Sequence, residues 1–276
     1  MIYSAVGERF VKGHLRMSKD RGDEQIEVRM TLGEHLEDLR RRIIYALIGL
    51  VVGMVVALCF GKHIIAVIQG PYVRAMKDLG RDPELAFMSV TTAFVTYLKI
   101  ALAVGLIISA PWVFYQFWMF VSAGLYPNER KYVLVAVPFS AVLFVGGALF
   151  FLFVISDYIL SFFLGFGSWL GLKPIIRFQS HVSFMTNMMV VFGLGFQTPL
   201  LVLILGKMGL VTPRTLGKYR KHVIVAIVIL AAVVTSPSPI DQIALAIPMW
   251  LLYELGVLLV YLLVTRKQPQ GEQEES

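Results

Sequence analysis

Charge is scarce in this chain. Of its 276 residues only 16% are Asp, Glu, Lys or Arg, while 57% are hydrophobic. Mean hydropathy is +0.74. A soluble domain carries about 25% charged residues, so this composition reads as a multi-span membrane protein. Cysteine is nearly absent: the single Cys59 lies in an apolar run. One thiol excludes an internal disulfide and a cysteine metal cluster, and it reads as a small core hydrophobe. Histidine is sparse and scattered, at His14, His35, His63, His181 and His222. Each reads as an interfacial or capping residue. Gly-x-Ser-x-Gly, His-Glu-x-x-His and Walker motifs are all missing, which argues against an enzyme and leaves no cofactor to expect. A cleavable leader is not indicated either. Residues 1–42 are polar and charged, and no small-residue cleavage site follows the first apolar run, Ile43–Phe60.

What the chain does have is apolar segments, and six emerge: Ile43–Phe60, Phe94–Phe117, Tyr132–Ile155, Val182–Gly206, His222–Val234 and Gln242–Val264. About 20 residues span a bilayer core of ~30 Å. The clean run of the fifth, Val223–Val234, covers only ~18 Å at 1.5 Å per residue. Thr235-Ser-Pro-Ser-Pro-Ile-Asp-Gln242 then predicts a tight hairpin into the sixth. A short final pair implies local bilayer thinning.

Cations set the orientation. Eighteen Lys and Arg fall on the side of the termini and the even-numbered loops, and six on the other. Both termini are therefore expected in the cytoplasm. Residues 1–28 lack hydrophobic periodicity and read as a disordered tail. A membrane domain over 29–265 and a second tail over 266–276 complete the expected organisation. Ile64, Ile65, Val67 and Ile68, followed by Gly70-Pro71, predict a short helix on the outer membrane surface, turned back by the proline. Tyr158–Leu172 predicts an outer cap continuous with the third helix.

Three features carry possible chemistry. Thr31 and Glu34 form a capping box at the head of Thr31-Leu-Gly-Glu-His-Leu-Glu-Asp-Leu-Arg-Arg-Arg42. Glu34, Asp38 and Arg42 then share one helix face. Read from spacing alone, this is as well an amphipathic collar for anionic lipid. The second feature is Glu129, which follows a charge-free run from Ile100 to Asn128 dense in aromatics. From its chemistry alone it reads equally as a solvated loop carboxylate. Third, Gln197 and Glu254 lie at membrane depth, where a polar group is either functional or an internal helix–helix hydrogen bond. Gly49-x-x-x-Gly53 permits close helix packing, within the chain or between copies.

As a set, these motifs resemble the TatC family of twin-arginine protein translocases. The resemblance rests on His35-Leu-Glu-Asp-Leu-Arg40, Ser109-Ala-Pro111, Tyr115-Gln-Phe-Trp-Met-Phe120, Leu125-Tyr-Pro-Asn-Glu-Arg130, Phe192-Gly-Leu-Gly-Phe-Gln-Thr-Pro199, Leu245-Ala-Ile-Pro-Met249 and Tyr253-Glu-Leu-Gly256. It implies an all-α protein of six helices in a curved, glove-like bundle in a bacterial inner membrane. It implies a receptor for paired-arginine signal peptides that exports folded proteins on the proton-motive force. Implied partners are TatA- and TatB-like single-span subunits, membrane lipid and further copies of the chain, with no nucleic acid.

By the same resemblance the signal-peptide acids fall on Asp38, where a glutamate is usual, and Glu129. Phe120 lies beside them, and Glu34 and Arg40 share the collar motif. The outer-loop proline falls on Pro71, while Pro111 and Pro199 are structural. The mid-membrane glutamate falls on Gln197, which cannot titrate, and Glu254 matches directly. In the last outer loop the family's acid after a proline pair is replaced by Ser238. The rival reading is a secondary transporter for a small solute, with Glu254 in a midplane site.

Overall fold

The computed structural model of the chain describes residues 32–86, 89–124, 130–172, 175–234 and 239–263. The expected tails, 1–28 and 266–276, lie outside them. Contacts divide the chain into two units, Met1–Asp38 and Leu39–Ser276. In the first, the described residues are the opening turns of α1 (Leu32–Cys59), with Glu34 in the first turn, where the helix dipole favours an acid.

The second unit is almost wholly helical. After α1 come α2 (Gly61–Asp78), β1 (Leu85–Ala86), α3 (Val90–Ala123) and α4 (Arg130–Phe150). A π turn (Phe151–Ile155) leads into α5 (Ser156–Trp169), followed by β2 (Ile176–Arg177) and α6 (Phe178–Gly195). Last are α7 (Thr198–Lys207), α8 (Pro213–Val234) and α9 (Pro239–Leu263). Among the described residues, five segments are long and apolar enough to cross a membrane: 33–59, 91–123, 135–169, 178–207 and 245–263. Helix α8 does not join them, because Lys218, Arg220 and Lys221 occupy its first half.

Small residues let α1 and α3 touch. A Cβ on Gly53 would collide with the carbonyl oxygen of Gly105, and one on Gly105 would lie 2.7 Å from Met54 Cα. The Gly49-x-x-x-Gly53 motif thus packs within the chain. Tyr97 donates its hydroxyl to Leu58 O at 2.6 Å, and Trp112 Nε1 donates to Tyr45 O at 2.8 Å. Cys59, expected in the core, is exposed at the end of α1.

Helix α2 departs from expectation. Pro71 does not turn the chain back; it lies inside one 18-residue helix and is buried with Ile68, Tyr72, Ala75 and Met76. That face packs chiefly against α5, where Ile159, Leu160 and Leu164 are buried. An internal proline costs ~3 kcal/mol, and burying several large side chains at ~1.5–3 kcal/mol each outweighs it. The helix is therefore a packed element of the fold. Arg74 Nη2 reaches both carboxylate oxygens of Asp157 at 2.9 and 3.0 Å. Arg81 donates to Leu172 O and Ser168 Oγ at 3.3 and 3.2 Å. Beside them β1 and β2 pair in parallel, Leu85 with Ile176 and Ala86 with Arg177. Beneath α2, His181 is buried rather than interfacial, its ring 5.2 Å from that of Tyr72.

Three further boundaries differ from the sequence reading. Instead of one fourth helix over Val182–Gly206, α6 and α7 are separated at Phe196–Gln197, with Pro199 in the first turn of α7. Pro199 has no N–H to continue the ladder. Helix α8 starts nine residues earlier than His222, at Pro213, because Thr212 Oγ1 accepts from Thr215 N at 3.2 Å and caps it. Helix α9 starts at Pro239, so Ile240, Asp241 and Gln242 are helical and the loop before it is shorter than expected. As expected, α5 continues the third apolar helix, through the π turn.

Candidate functional site

The collar residues sit on one helix. Glu34 and Arg40 are exposed, whereas Asp38 is only 6% exposed. Withdrawal from water matters for an acid, because a charge-assisted hydrogen bond is stronger where water does not compete. Phe120 is half-buried in the last turn of α3. The expectation for Glu129 falls on 125–129, outside the described residues.

Two residues behind Phe120, a polar junction closes the bundle. Trp118 is buried, and its Nε1 donates to Ser140 Oγ at 2.6 Å. Gln197, 7% exposed at the α6–α7 break, donates Nε2 to the backbone carbonyl of Ser140 at 3.0 Å. Ser140 on α4 therefore accepts from both neighbours, by side chain and by main chain. An indole N–H and a carboxamide in an apolar setting need such partners. Gln197 had a signal in the sequence, a lone amide in an apolar run. Ser140 had none, because a serine is common in apolar helices and its two donors lie far away in sequence.

Close backbone contacts surround this junction. A Cβ on Gly193 would meet the Phe144 ring at 2.9 Å, and one on Gly147 would lie 2.7 Å from Phe192 O. A side chain on Gly195 would strike Met249 of α9. The glycines of Phe192-Gly-Leu-Gly-Phe196 thus let α4, α6 and α9 meet where the ladder breaks.

Glu254 also has an internal partner. Arg220 Nη2 on α8 donates to Glu254 Oε2 at 2.7 Å. The neighbouring Tyr253 is buried and gives its hydroxyl to Leu216 O at 2.9 Å. One helical turn separates Leu216 from Arg220, so the two bonds are adjacent rungs joining α8 to α9. Of the two readings of this acid, functional or internal helix–helix bond, the contact to Arg220 is of the second kind, as an ion pair. The sequence concealed this because Arg220 reads as a loop cation until α8 is extended back to Pro213.

The prolines fall in three settings. Pro71 is buried in α2, Pro111 is exposed inside α3, and Pro199 opens α7. Among the described residues, no group of three His, Cys, Asp or Glu side chains is arranged to hold a metal.

A family profile described as Sec-independent protein translocase protein (TatC) matches residues 34–248. The chain is similar to the Sec-independent protein translocase protein TatC of Carboxydothermus hydrogenoformans, 38% identical over 229 residues, covering 83% of this chain and 91% of that protein. It is 34% identical over 240 residues to that of Aquifex aeolicus, covering 87% and 98%. A crystal structure of a twin-arginine translocase receptor, TatC, superposes with a TM-score of 0.74 at 34% identity, over 83% of this chain and 99% of that one.

Proposed function

This chain belongs to the TatC family of Sec-independent protein translocase proteins, and we propose that it recognises twin-arginine signal peptides through Asp38 and Glu129. As a translocase subunit in a membrane it is not an enzyme. The transporter alternative finds no support: the relatives are named as translocase proteins, and Glu254 is engaged with Arg220.

The family match carries this reading, because residues 34–248 include both proposed acids and Phe120. The chemistry supports it. A guanidinium presents a planar fork that a carboxylate meets with two parallel hydrogen bonds, and lysine cannot copy that geometry. Two arginines in the peptide call for two carboxylates. In water an exposed pair contributes only about 0–1 kcal/mol. Withdrawal of Asp38 from water, at 6% exposure, strengthens a hydrogen bond to it at the cost of desolvating the carboxylate. Phe120 offers an aromatic face for a guanidinium. Glu34 and Arg40 belong to the same collar motif as Asp38. The apolar part of the peptide adds the remaining affinity by burying surface along membrane helices.

In this reading both termini face the cytoplasm of a bacterial inner membrane, supported by eighteen cations against six. Helix α8 adds a short sixth crossing to the five long ones, the last of which is α9. TatA- and TatB-like single-span partners assemble on the chain, and the proton-motive force drives export of folded cargo. Gln197 holds the α6–α7 break against which a partner helix packs.

Photocrosslinking tests the receptor reading. A twin-arginine signal peptide should label this protein in native membranes, and the Lys-Lys version should label it at least tenfold less. Equal labelling by both peptides contradicts it.

A further inference from the structure

The α4–π–α5 rod is longer than a bilayer needs. Its apolar stretch, Val135–Trp169, has 35 residues. At 1.5 Å per residue it is about 51 Å long, against ~30 Å of hydrocarbon and ~40–45 Å with headgroups. No charge interrupts Tyr158–Leu172. Fifteen uncharged residues standing in water would be a poor solvated surface.

Helix α5 has two unlike faces. Ile159, Leu160 and Leu164 are buried, and α2 is the element that chiefly covers this helix. The opposite face is a single stripe of aromatics at helical spacing: Tyr158, Phe162, Phe166 and Trp169. All are about half exposed or more, with Trp169 at 78%. Phe162 and Phe166 stack at 6.3 Å with an interplanar angle of 9°, and Trp169 lies 5.6 Å beyond Phe166.

The stripe continues the exposed apolar face of the spanning helix. On α4 that face runs through Val135, Phe139, Val142 and Leu149, and it reaches Phe153 within the π turn. Between Phe153 and Tyr158 the step is five residues, and the π turn Phe151–Ile155 lies across that step. A π turn absorbs one extra residue and so keeps the two faces in phase. The face that meets lipid in α4 is thus the face that becomes aromatic in α5. Amphipathic rings concentrate where hydrocarbon gives way to headgroups.

We infer that the aromatic stripe of α5 is a membrane-interface anchor, seated across the boundary between hydrocarbon and phospholipid headgroups and holding the α2–α5 cap down on the bilayer. A rod tilt of about 30°, inside the usual range, shortens the 51 Å to about 44 Å, so the rod fits a bilayer with its headgroups, and the stripe, about 14 Å along the membrane normal, begins in the outer hydrocarbon and ends with Trp169 among the headgroups. Arg74–Asp157 and the Arg81 bonds to Ser168 and Leu172 brace α5 from the α2 side. Anchoring α5 therefore anchors α2.

Site-directed spin labelling tests this in nanodiscs of phosphatidylethanolamine and phosphatidylglycerol, on the full chain carrying Cys59→Ser. Nitroxides replace Phe162, Phe166 and Trp169 one at a time. Val142 serves as the lipid reference and the exposed Asp82 as the water reference. The stripe positions should collide readily with oxygen and at least fivefold less than Asp82 with a water-soluble nickel chelate. Nickel accessibility equal to that of Asp82 overturns the proposal. Low accessibility to both reagents also overturns it, because the stripe is then covered by protein. A second measurement needs no label: brominated lipid should quench a share of the tryptophan emission that Trp169→Phe removes. Identical quenching in both proteins contradicts the anchor.

Discussion

Arg220 of α8 and Glu254 of α9 form an ion pair of 2.7 Å, one turn from the hydroxyl that Tyr253 gives to Leu216 O. The side chains are 51% and 25% exposed, so the pair is neither a free surface contact nor a fully buried one. The α8–α9 hairpin has a short apolar run on its first helix, and this pair is part of what closes it.

Removing one partner should harm more than removing both. Arg220→Ala leaves a carboxylate on α9 whose second oxygen is already buried without a protein partner among the described residues. We expect a loss of about 1–2 kcal/mol, between the small surface value and the 3–5 kcal/mol of a fully buried pair. Glu254→Gln combined with Arg220→Ala should recover part of it. Thermal unfolding in detergent across the double-mutant cycle reads the coupling, and additive losses would show that the pair does not matter.

Ser140→Ala should leave the Trp118 indole N–H buried without an acceptor. The expected loss is about 1–3 kcal/mol. Adding Trp118→Phe removes the orphaned donor, so the double variant should be less destabilised than the two losses summed. Unfolding midpoints in one detergent decide this. Because Gln197 uses the main-chain carbonyl of Ser140, Ser140→Ala keeps that bond.

Gln197→Ala instead releases the α6–α7 break from α4. The outcome we expect is weaker co-purification of single-span partners, by threefold or more, with signal-peptide crosslinking reduced less. Affinity purification and crosslinking on the same membranes give the ranking. The reverse order would contradict the role given to Gln197.

Gly53→Leu should separate α1 from α3. Its side chain would enter the space of the Gly105 carbonyl, and overpacking of this kind costs about 1–3 kcal/mol. The Tyr97–Leu58 and Trp112–Tyr45 hydrogen bonds stretch with it. A lowered unfolding temperature is expected, and an unchanged one would mean the helices part without penalty.

How much of this was legible in the sequence depends on what each feature rests on. Long charge-free runs announced the helices, because twenty apolar residues have few other uses. The continuity of α5 with the third helix was also readable, since neither proline nor glycine stands between Ala148 and Leu164, across the junction. Pro71 misled, because a proline is judged by its local effect while α2 is held by burial against a segment 80 or more residues away. The early start of α8 was present as Thr212-Pro213, a cap with proline at the first helical position, but a run of cations hid it. Two-residue strands such as β1 and β2 have no periodicity to read. The partners of Gln197 and Glu254 are tertiary facts: each acceptor or donor lies tens of residues away, and only the packed helices bring them together.

The central claim is that two carboxylates hold two arginines, and isosteric amides test it most directly. Asp38→Asn and Glu129→Gln keep size and remove charge. Each should reduce photocrosslinking of a twin-arginine signal peptide at least tenfold, at unchanged protein level in the membrane and with the weak Lys-Lys signal unaffected. Undiminished labelling of either variant by the twin-arginine peptide would contradict the two-carboxylate account.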